Sequence, residues 1–347
     1  MMSSSSLQSQ NRHLRPVVAL VGPTAVGKSQ IGILAAKALG TEVLTADSRQ
    51  VYRGMDIGMD KPTPAERQGV PHRLIDLVAP DEPFNAGMFR RAALVEVERL
   101  HGAGALPLFV GGTGLYIRTL LRGLWDGPTA DWSIRARLMA QEKAKGAGFL
   151  HSELQRIDAA TASRLHPHDV VKIVRALEVY EVLRKPLSEL HRAHGFGEKP
   201  FASLVIALNR DRAALYRRID ERVEYQVAKG LIEETRGLLD AGYDCQLGSM
   251  KGLGYRQISG YLAGEYDRAE AMRRLKRDTR HFAKRQLTWF RSEPDVEWLH
   301  IDEQEAAEQT AERVVGRIRR FLDHCSDERG IPRQAGMATR SELPVNC

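Results

Sequence analysis

Cysteine is scarce in this chain. Among 347 residues only Cys245, Cys325 and Cys347 carry thiols, and no two of them form a C-x-x-C pair. A disulfide framework and a zinc site of the usual spacing are therefore not expected, and the compartment reads as reducing. No apolar run approaches the ~20 residues that a membrane-crossing helix needs, so no membrane is expected among the partners. Met1 to Arg15 is rich in Ser and Gln and does not read as a secretory leader. A floppy tail over 1–15 and a cytosolic location are expected. A second loose tail is expected over 326–347, where Gly, Pro and polar residues dominate. No internal repeat is visible. His166 and His168 flank Pro167 without a third ligand in evidence, so a turn is expected there rather than a metal pair.

Apolar residues make up 43% of the chain and charged ones 27%, enough for a packed core with an ordinary soluble surface. The length fits one main domain with an insertion or extension. The formal charge is +7 and the isoelectric point about 9.4. That balance favours a polyanionic partner but does not by itself identify one.

Apolar runs at 17–21, 43–46 and 106–110 read as buried parallel strands, with Leu74–Leu77 as a further candidate. Helical spacing follows over 29–39, 89–100 and from Gly114 towards Leu121. Strands alternating with helices predict an α/β domain with a parallel sheet. From Trp132 to about Arg192 only helical patterns occur. Strand character returns over 201–208, followed by helices over 212–228, 231–239 and 267–290, a strand over 296–301 and a helix over 306–322. Trp125, Trp132 and Trp298 read as packing residues.

Gly22-Pro23-Thr24-Ala25-Val26-Gly27-Lys28-Ser29 fits G-x-x-x-x-G-K-[ST] in full, with a buried strand before it and a helix after it. Its glycines let backbone N–H groups turn inward around an anion, and the helix N-terminus adds its positive dipole end. Lys28 supplies a full charge, and the Ser29 hydroxyl can ligate Mg²⁺. The pattern predicts a diphosphate- or triphosphate-binding cradle without naming the reaction. Asp47 ends the second strand, where ligands of open α/β sheets gather. It could be a general base, a Mg²⁺ ligand or simply a turn residue.

The run from Asp47 through Ser48, Arg49, Gln50, Val51 and Tyr52 to Gly58, with Lys61-Pro62 beyond, resembles the signature of tRNA dimethylallyltransferases (tRNA isopentenylpyrophosphate transferases). So do the cradle, Pro71-His72-Arg73-Leu74, Gly111-Gly112-Thr113-Gly114-Leu115-Tyr116, Gly254-Tyr255-Arg256-Gln257 and Lys284-Arg285-Gln286-Leu287-Thr288-Trp289. The blocks keep the family's order over roughly residues 16 to 300. Met59 stands where the family usually has Thr, and Ser29 where Thr is commoner. The zinc finger of eukaryotic members is absent, which points to the bacterial type.

The resemblance implies a P-loop NTPase-like parallel sheet flanked by helices, with a helical insertion domain. The core would cover 16–128 and 200–325, its C-terminal part mainly helical and tRNA-binding, and the insertion 129–199. It implies transfer of a dimethylallyl group from dimethylallyl pyrophosphate to the exocyclic amine of the adenosine 3′ of the anticodon. Mg²⁺ would be the cofactor, with Ser29 and Asp47 as ligands, and the enzyme would be a monomer. Asp47 matches the general base, Thr24 a diphosphate contact and Arg222 a pyrophosphate clamp, with Arg218 the weaker candidate. Ser48, Arg49 and Gln50 would read the extruded adenine. Thr113, the segment Val171-Lys172 to Arg175, and Lys251 with Gly254, Tyr255 and Arg256 resemble tRNA-contact segments of the family.

In the long helix, Met272, Leu275, Phe282 and Trp289 are expected to form the core face. Arg273, Arg277, Arg280, Lys284 and Arg291 form a stripe roughly 160° away, at about 100° per residue. Asp267, Glu270 and Asp278 look too few to neutralise it. The stripe, with Arg285 beside it, is expected to track the phosphates of the tRNA anticodon stem-loop. Competing readings are a P-loop small-molecule kinase of the nucleotide or shikimate type, a transferase acting on free adenine nucleotides, and an RNA-binding protein that uses nucleotide as a switch.

Overall fold

The computed structural model describes residues 14–125, 127–194 and 199–327. The tails expected over 1–15 and 326–347, with Cys347, lie outside the described residues, apart from Leu14–Arg15 and Ser326–Asp327. Two compact units are present, one containing the chain up to Ile117 and from Phe201 onward, the other Arg118–Pro200.

Six strands form the sheet of the first unit: β1 (Pro16–Val21), β2 (Val43–Thr45), β3 (His72–Arg73), β4 (Leu108–Gly111), β5 (Ala202–Asn209) and β6 (Val296–His300). Their spatial order is β3-β2-β4-β1-β5-β6, and every pairing is parallel. The apolar run of β1 is buried on both faces, as a central parallel strand must be. The unbroken helical spacing after the cradle forms α1 (Lys28–Leu39), stopped by Gly40 in the left-handed conformation. Its Ile31, Ile33, Ala35 and Ala36 share a core with Leu20, Ile206 and Leu208 of the sheet.

The helices α2 (Ala86–Gly102) and α3 (Gly114–Arg122) follow β3 and β4. The second unit carries α4 (Trp132–Lys145), α5 (Phe149–Ile157), α6 (Ala159–Ala162), α7 (Val170–Leu183) and α8 (Leu187–His194). Leu138, Leu150, Leu154, Ile173 and Leu177 form its own core. After β5 come α9 (Arg212–Ala228), α10 (Leu231–Asp240), α11 (Tyr255–Leu262) and α12 (Arg268–Ser292), and after β6 comes α13 (Ala307–Asp327). Val314, Val315 and Ile318 of α13 pack into the α1 core. Val51, Met55 and Met59 pack with Val223 of α9, Leu231 of α10, Tyr255 of α11 and Leu275 of α12. The segment after Asp47 is thereby held by four helices distant in sequence.

Several sequence expectations need correction. The strand sought at Leu74–Leu77 lies at His72–Arg73, paired with Val43–Leu44. Leu74 and Asp76 have φ of 61° and 57°, which breaks the extended run. The amides of Asp76 and Leu77 bond instead to the carbonyls of Gln50 and Val51, at 3.1 and 2.7 Å. The final helix continues past Leu322 to Asp327 and buries Cys325. Trp132, expected to pack, is 68% exposed, because it opens α4 beyond that helix's one buried position, Leu138.

The core face of α12 is also turned from the expected one. Leu275 is buried as predicted, but its companions are Ala271, Thr279, Ala283, Gln286 and Phe290, whereas Met272, Phe282 and Trp289 are only half-buried. Two polar residues could take core positions because each finds partners there. The Thr279 hydroxyl donates to the Leu275 carbonyl at 2.8 Å, and Gln286 reaches the cradle.

Candidate active site

The cradle leaves β1 through Gly22, whose φ is 143°. A Cβ there would stand 2.7 Å from the Leu208 carbonyl oxygen, so the turn against β5 requires glycine. Gly27, at φ 110°, opens α1 without a side-chain cap, which leaves the first helical amides facing the loop. Lys28 curls back so that Nζ donates to the Pro23 carbonyl at 2.7 Å. Burial pushes its ammonium down to about 8; nearby Arg222 acts in the same direction, while Asp47 and Asp60 oppose both. Arg210 and Arg218 brace the outside of the loop through the carbonyls of Val26 and Ala25, at 3.0 and 2.9 Å. Arg218, the weaker clamp candidate, thus has a loop-bracing bond.

Arg222 enters from α9. Its Nη1 donates to the Thr24 hydroxyl at 2.8 Å, and its Nη2 lies 2.9 Å from an Asp60 carboxylate oxygen. Thr24 is fixed a second time, since its backbone N–H donates to Gln286 Oε1 at 2.8 Å. The same amide donates through Nε2 to the Gly112 carbonyl at 2.9 Å. One glutamine of α12 therefore ties the cradle after β1 to the Gly-rich turn after β4. Gln286→Leu would keep the bulk and strand the part-buried Thr24 amide and the Gly112 carbonyl, each near the lower end, about 1 kcal/mol, of the cost of an unsatisfied buried group. Unfolding stability in urea should fall by about 2 kcal/mol. A change within ~0.5 kcal/mol, the scatter of neutral surface substitutions, would show that water replaces the bonds.

Asp47 emerges where β2 and β4 meet. A Cβ on Gly111 would lie 2.0 Å from the Ala46 carbonyl oxygen, so the two strand ends touch backbone to backbone. The Arg49 N–H donates to Asp47 Oδ1 at 2.8 Å, fixing the carboxylate within its own turn. Among the described residues Oδ2 has no hydrogen bond, so one oxygen orients the group and the other is available. Thr113 braces this turn. Its hydroxyl accepts from the Ser48 N–H at 2.9 Å, and its own N–H donates to the Ala46 carbonyl at 3.2 Å. Gln50 holds the next turn by donating to the carbonyls of Met59 and Asp60, at 3.1 and 3.0 Å.

Glu234 of α10 completes the scaffold. Its carboxylate accepts the N–H groups of Asp56, Ile57 and Gly58 at 2.9, 2.8 and 3.0 Å, and also the Tyr255 hydroxyl. Buried Lys61 donates to the Tyr52 carbonyl, to Asp56 and to Asp76. Together these bonds position Asp60, in the left-handed conformation at φ 53°, opposite Arg222.

A cavity of about 400 Å³ opens on these groups. It brings together Thr24, Lys28 and Ser29 of the cradle, Asp47 with Arg49 and Gln50, and Arg222. Lys251, Arg256 and Arg285 stand on its wall, and Met59, Leu253, Leu275 and Phe282 provide apolar surface. The remaining predicted residues lie elsewhere. Tyr255 is 0% exposed, so it is a core residue and not an RNA contact. Gly254 is buried as the N-cap of α11. Arg280 forms a two-pronged pair with Asp220 of α9, and its guanidinium sits 5.4 Å from the Tyr216 ring centre.

The basic stripe is more neutralised than its own helix indicated. Arg273 pairs with Glu270, Arg277 with Asp278 and Arg280 with Asp220. Lys284 and Arg291 remain exposed and form no ion pair among the described residues. In the second unit Val171 is 79% exposed, and Lys172 pairs with Asp169 at 3.1 Å. Arg175 is committed to fully buried Glu178, at 2.6 Å, and to the Pro128 carbonyl. Burial alone would raise the Glu178 carboxyl. Bonds from Arg135, Arg175 and the Asp131 N–H outweigh that and hold it below the usual carboxylate range. His166 and His168 form a turn before α7, in which the His168 N–H donates to His166 Nδ1 at 3.2 Å.

Gln286 stands in a family-like motif that gave it no role, and Asp60 and Glu234 escaped sequence reasoning. The register of Leu275, Thr279, Ala283, Gln286 and Phe290 was the available signal for Gln286; Asp60 and Glu234 had none. No group of three or more His, Cys, Asp or Glu forms a ready metal cage among the described residues. Ser29, Asp47 and Asp60 nevertheless line one cavity, and a hydroxyl with a few carboxylates suits a hard cation that is held mainly by substrate phosphates.

A family model described as IPP transferase matches residues 50–293. A tRNA dimethylallyltransferase of Syntrophobacter fumaroxidans is 48% identical over 284 residues, 82% of this chain and 83% of the relative. The crystal structure of the full-length tRNA isopentenylpyrophosphate transferase from Bacillus halodurans aligns with a TM-score of 0.68 at 36% identity, covering 91% of this chain and 99% of that one. A eukaryotic dimethylallyltransferase acting on tRNA shares the fold, with a TM-score of 0.75 at 24% identity, over 92% of this chain and 81% of its own.

Proposed function

The chain belongs to the IPP transferase family, and from that premise we propose that it moves a dimethylallyl group from dimethylallyl pyrophosphate to the exocyclic N6 amine of the adenosine 3′ of the anticodon in tRNA. The observation that carries the reading is a single cavity holding an anion cradle, an arginine clamped on it and a carboxylate with one oxygen available. The N6 lone pair attacks the allylic carbon next to oxygen. The carbon–oxygen bond to pyrophosphate breaks, and the amine proton passes to Asp47. Negative charge grows on the leaving pyrophosphate, facing Lys28, the loop amides and Arg222, which are fixed before the reaction starts.

A small-molecule kinase would share the cradle, but the match over 50–293 assigns the chain to prenyl transfer. Ser29, Asp47 and Asp60, which line the same cavity, would hold Mg²⁺, and the ion would add positive charge at the diphosphate. Lys251 and Arg285 at the wall, with exposed Lys284, are the cations we assign to RNA phosphates, and Arg256, now paired with Asp278 at 2.8 Å, would join them by exchanging that carboxylate for a phosphate. Thr113 and Ser48 act through the shape of the Asp47 turn. The core of 16–128 and 200–325 would perform the chemistry, and the helical segment 129–199 would add tRNA contacts through Val171 and Lys172. A monomeric, cytosolic enzyme is the corresponding assignment.

Incubation with Mg²⁺, labelled dimethylallyl pyrophosphate and unmodified total tRNA should place label in the RNA. Consumption of ATP on a small acceptor, with no label in RNA, would promote the kinase instead.

A further inference from the structure

Asp60, named above only as a carboxylate within reach of a cation, sits at the junction of two cavities and is paired with Arg222. It lines the catalytic cavity of about 400 Å³ and a neighbouring one of about 340 Å³, and Ser29 and Gln226 are shared between the two in the same way. Its backbone is fixed from both sides, since its N–H donates to the Ile57 carbonyl at 3.1 Å and its carbonyl accepts from Gln50. The carboxylate is consequently not wandering; it is delivered to one arm of the Arg222 guanidinium, while the other arm holds Thr24. Both partners keep some contact with the cavity, at 25% exposure for the Arg222 side chain and 37% for that of Asp60.

A diphosphate in the cradle would present its oxygens to the same guanidinium. Arginine binds phosphate and carboxylate through the same planar fork, so the two anions compete for it, and they repel each other across the cavity. The cradle that stabilises departing pyrophosphate also tends to retain it, and retained product limits turnover. We propose that Asp60 is an internal competitor for Arg222, a positioning carboxylate that takes the guanidinium back as pyrophosphate leaves and so keeps product affinity low. The inference rests on the transferase reading only for the identity of the leaving group.

The sign of the effect separates this role from a bracing one. A carboxylate that merely held Arg222 in place would weaken anion binding when removed. A competitor would strengthen it. Asp60→Asn removes the charge while keeping a residue that tolerates the left-handed conformation. Asp60→Gly removes it with a different side-chain loss. Inorganic pyrophosphate titrated calorimetrically into the full-length protein, with and without saturating Mg²⁺, should bind both neutral variants about fivefold tighter, the size of one partly exposed charge interaction. Asp60→Glu should stay nearer the wild-type value, and pyrophosphate should become a stronger product inhibitor of Asp60→Asn. Unchanged or weaker pyrophosphate binding by the folded neutral variants overturns the proposal, as does tightening confined to the Mg²⁺-free arm. The titration needs neither prenyl group nor tRNA, so a failure of label transfer and a failure of this inference are read separately.

Discussion

Asp47→Asn is expected to lower single-turnover transfer of label to tRNA about 10²- to 10⁴-fold, the range for a general base. Asparagine retains an oxygen that can accept the Arg49 N–H, now made to Asp47 Oδ1 at 2.8 Å, so the turn should keep its shape. What it loses is the capacity of the second oxygen to take the amine proton. Binding of dimethylallyl pyrophosphate should change little if, as proposed, its diphosphate is held by the cradle and Arg222 rather than through a cation on Asp47. A loss of less than about tenfold would mean that the proton leaves by another route, and the carboxylate would then be a turn residue near the site. A large loss accompanied by an equal loss of diphosphate binding would assign Asp47 to the cation instead.

Lys28→Met should reduce kcat about 10²- to 10³-fold, as expected for removing one preorganised stabiliser of a developing charge. Methionine preserves much of the chain's bulk beneath the loop, so the missing element is the ammonium itself. The same group predicts a pH limb. With Lys28 pushed down to about 8, the free enzyme carries its charge below that pH and loses it as the pH rises further. The value of kcat/KM for dimethylallyl pyrophosphate should therefore decline above about pH 8. Lys28→Arg, whose charge persists, should remove that decline at some cost in absolute rate. A wild-type profile that stays flat well above pH 8 would show that Lys28 keeps its proton, and the limb would have to be dropped.

The parts legible in sequence are those whose cause is local. The strand, Gly-rich turn and helix from Pro16 to Leu39 follow from contiguous residues, and α9 spans Arg212–Ala228 as its apolar spacing predicts. The place of Asp47 was legible, because a residue closing a parallel strand stands at the ligand-bearing edge of the sheet, but position alone left base, cation ligand and turn residue open, and the base role came from the family resemblance. The RNA-facing assignments were less legible. Tyr255 lies in a motif similar to tRNA-contact segments, but its hydroxyl serves Glu234 inside the core. Arg280 was counted as free because its neutralising partner, Asp220, stands on another helix.

The sequence by itself determined the cradle, the parallel α/β order and the family, since each is written in residues within one turn, one strand or one motif of each other. Only the tertiary structure decided which polar groups face one another across long chain separations. Gln286 meets Thr24, Arg222 meets Asp60, and Glu234 closes the turn at Asp56–Gly58. Hydrogen bonds and ion pairs act over a few ångströms of space, whatever the number of residues between the partners. Helical or strand periodicity reports only which face of an element is buried, and it leaves open what waits on the other side.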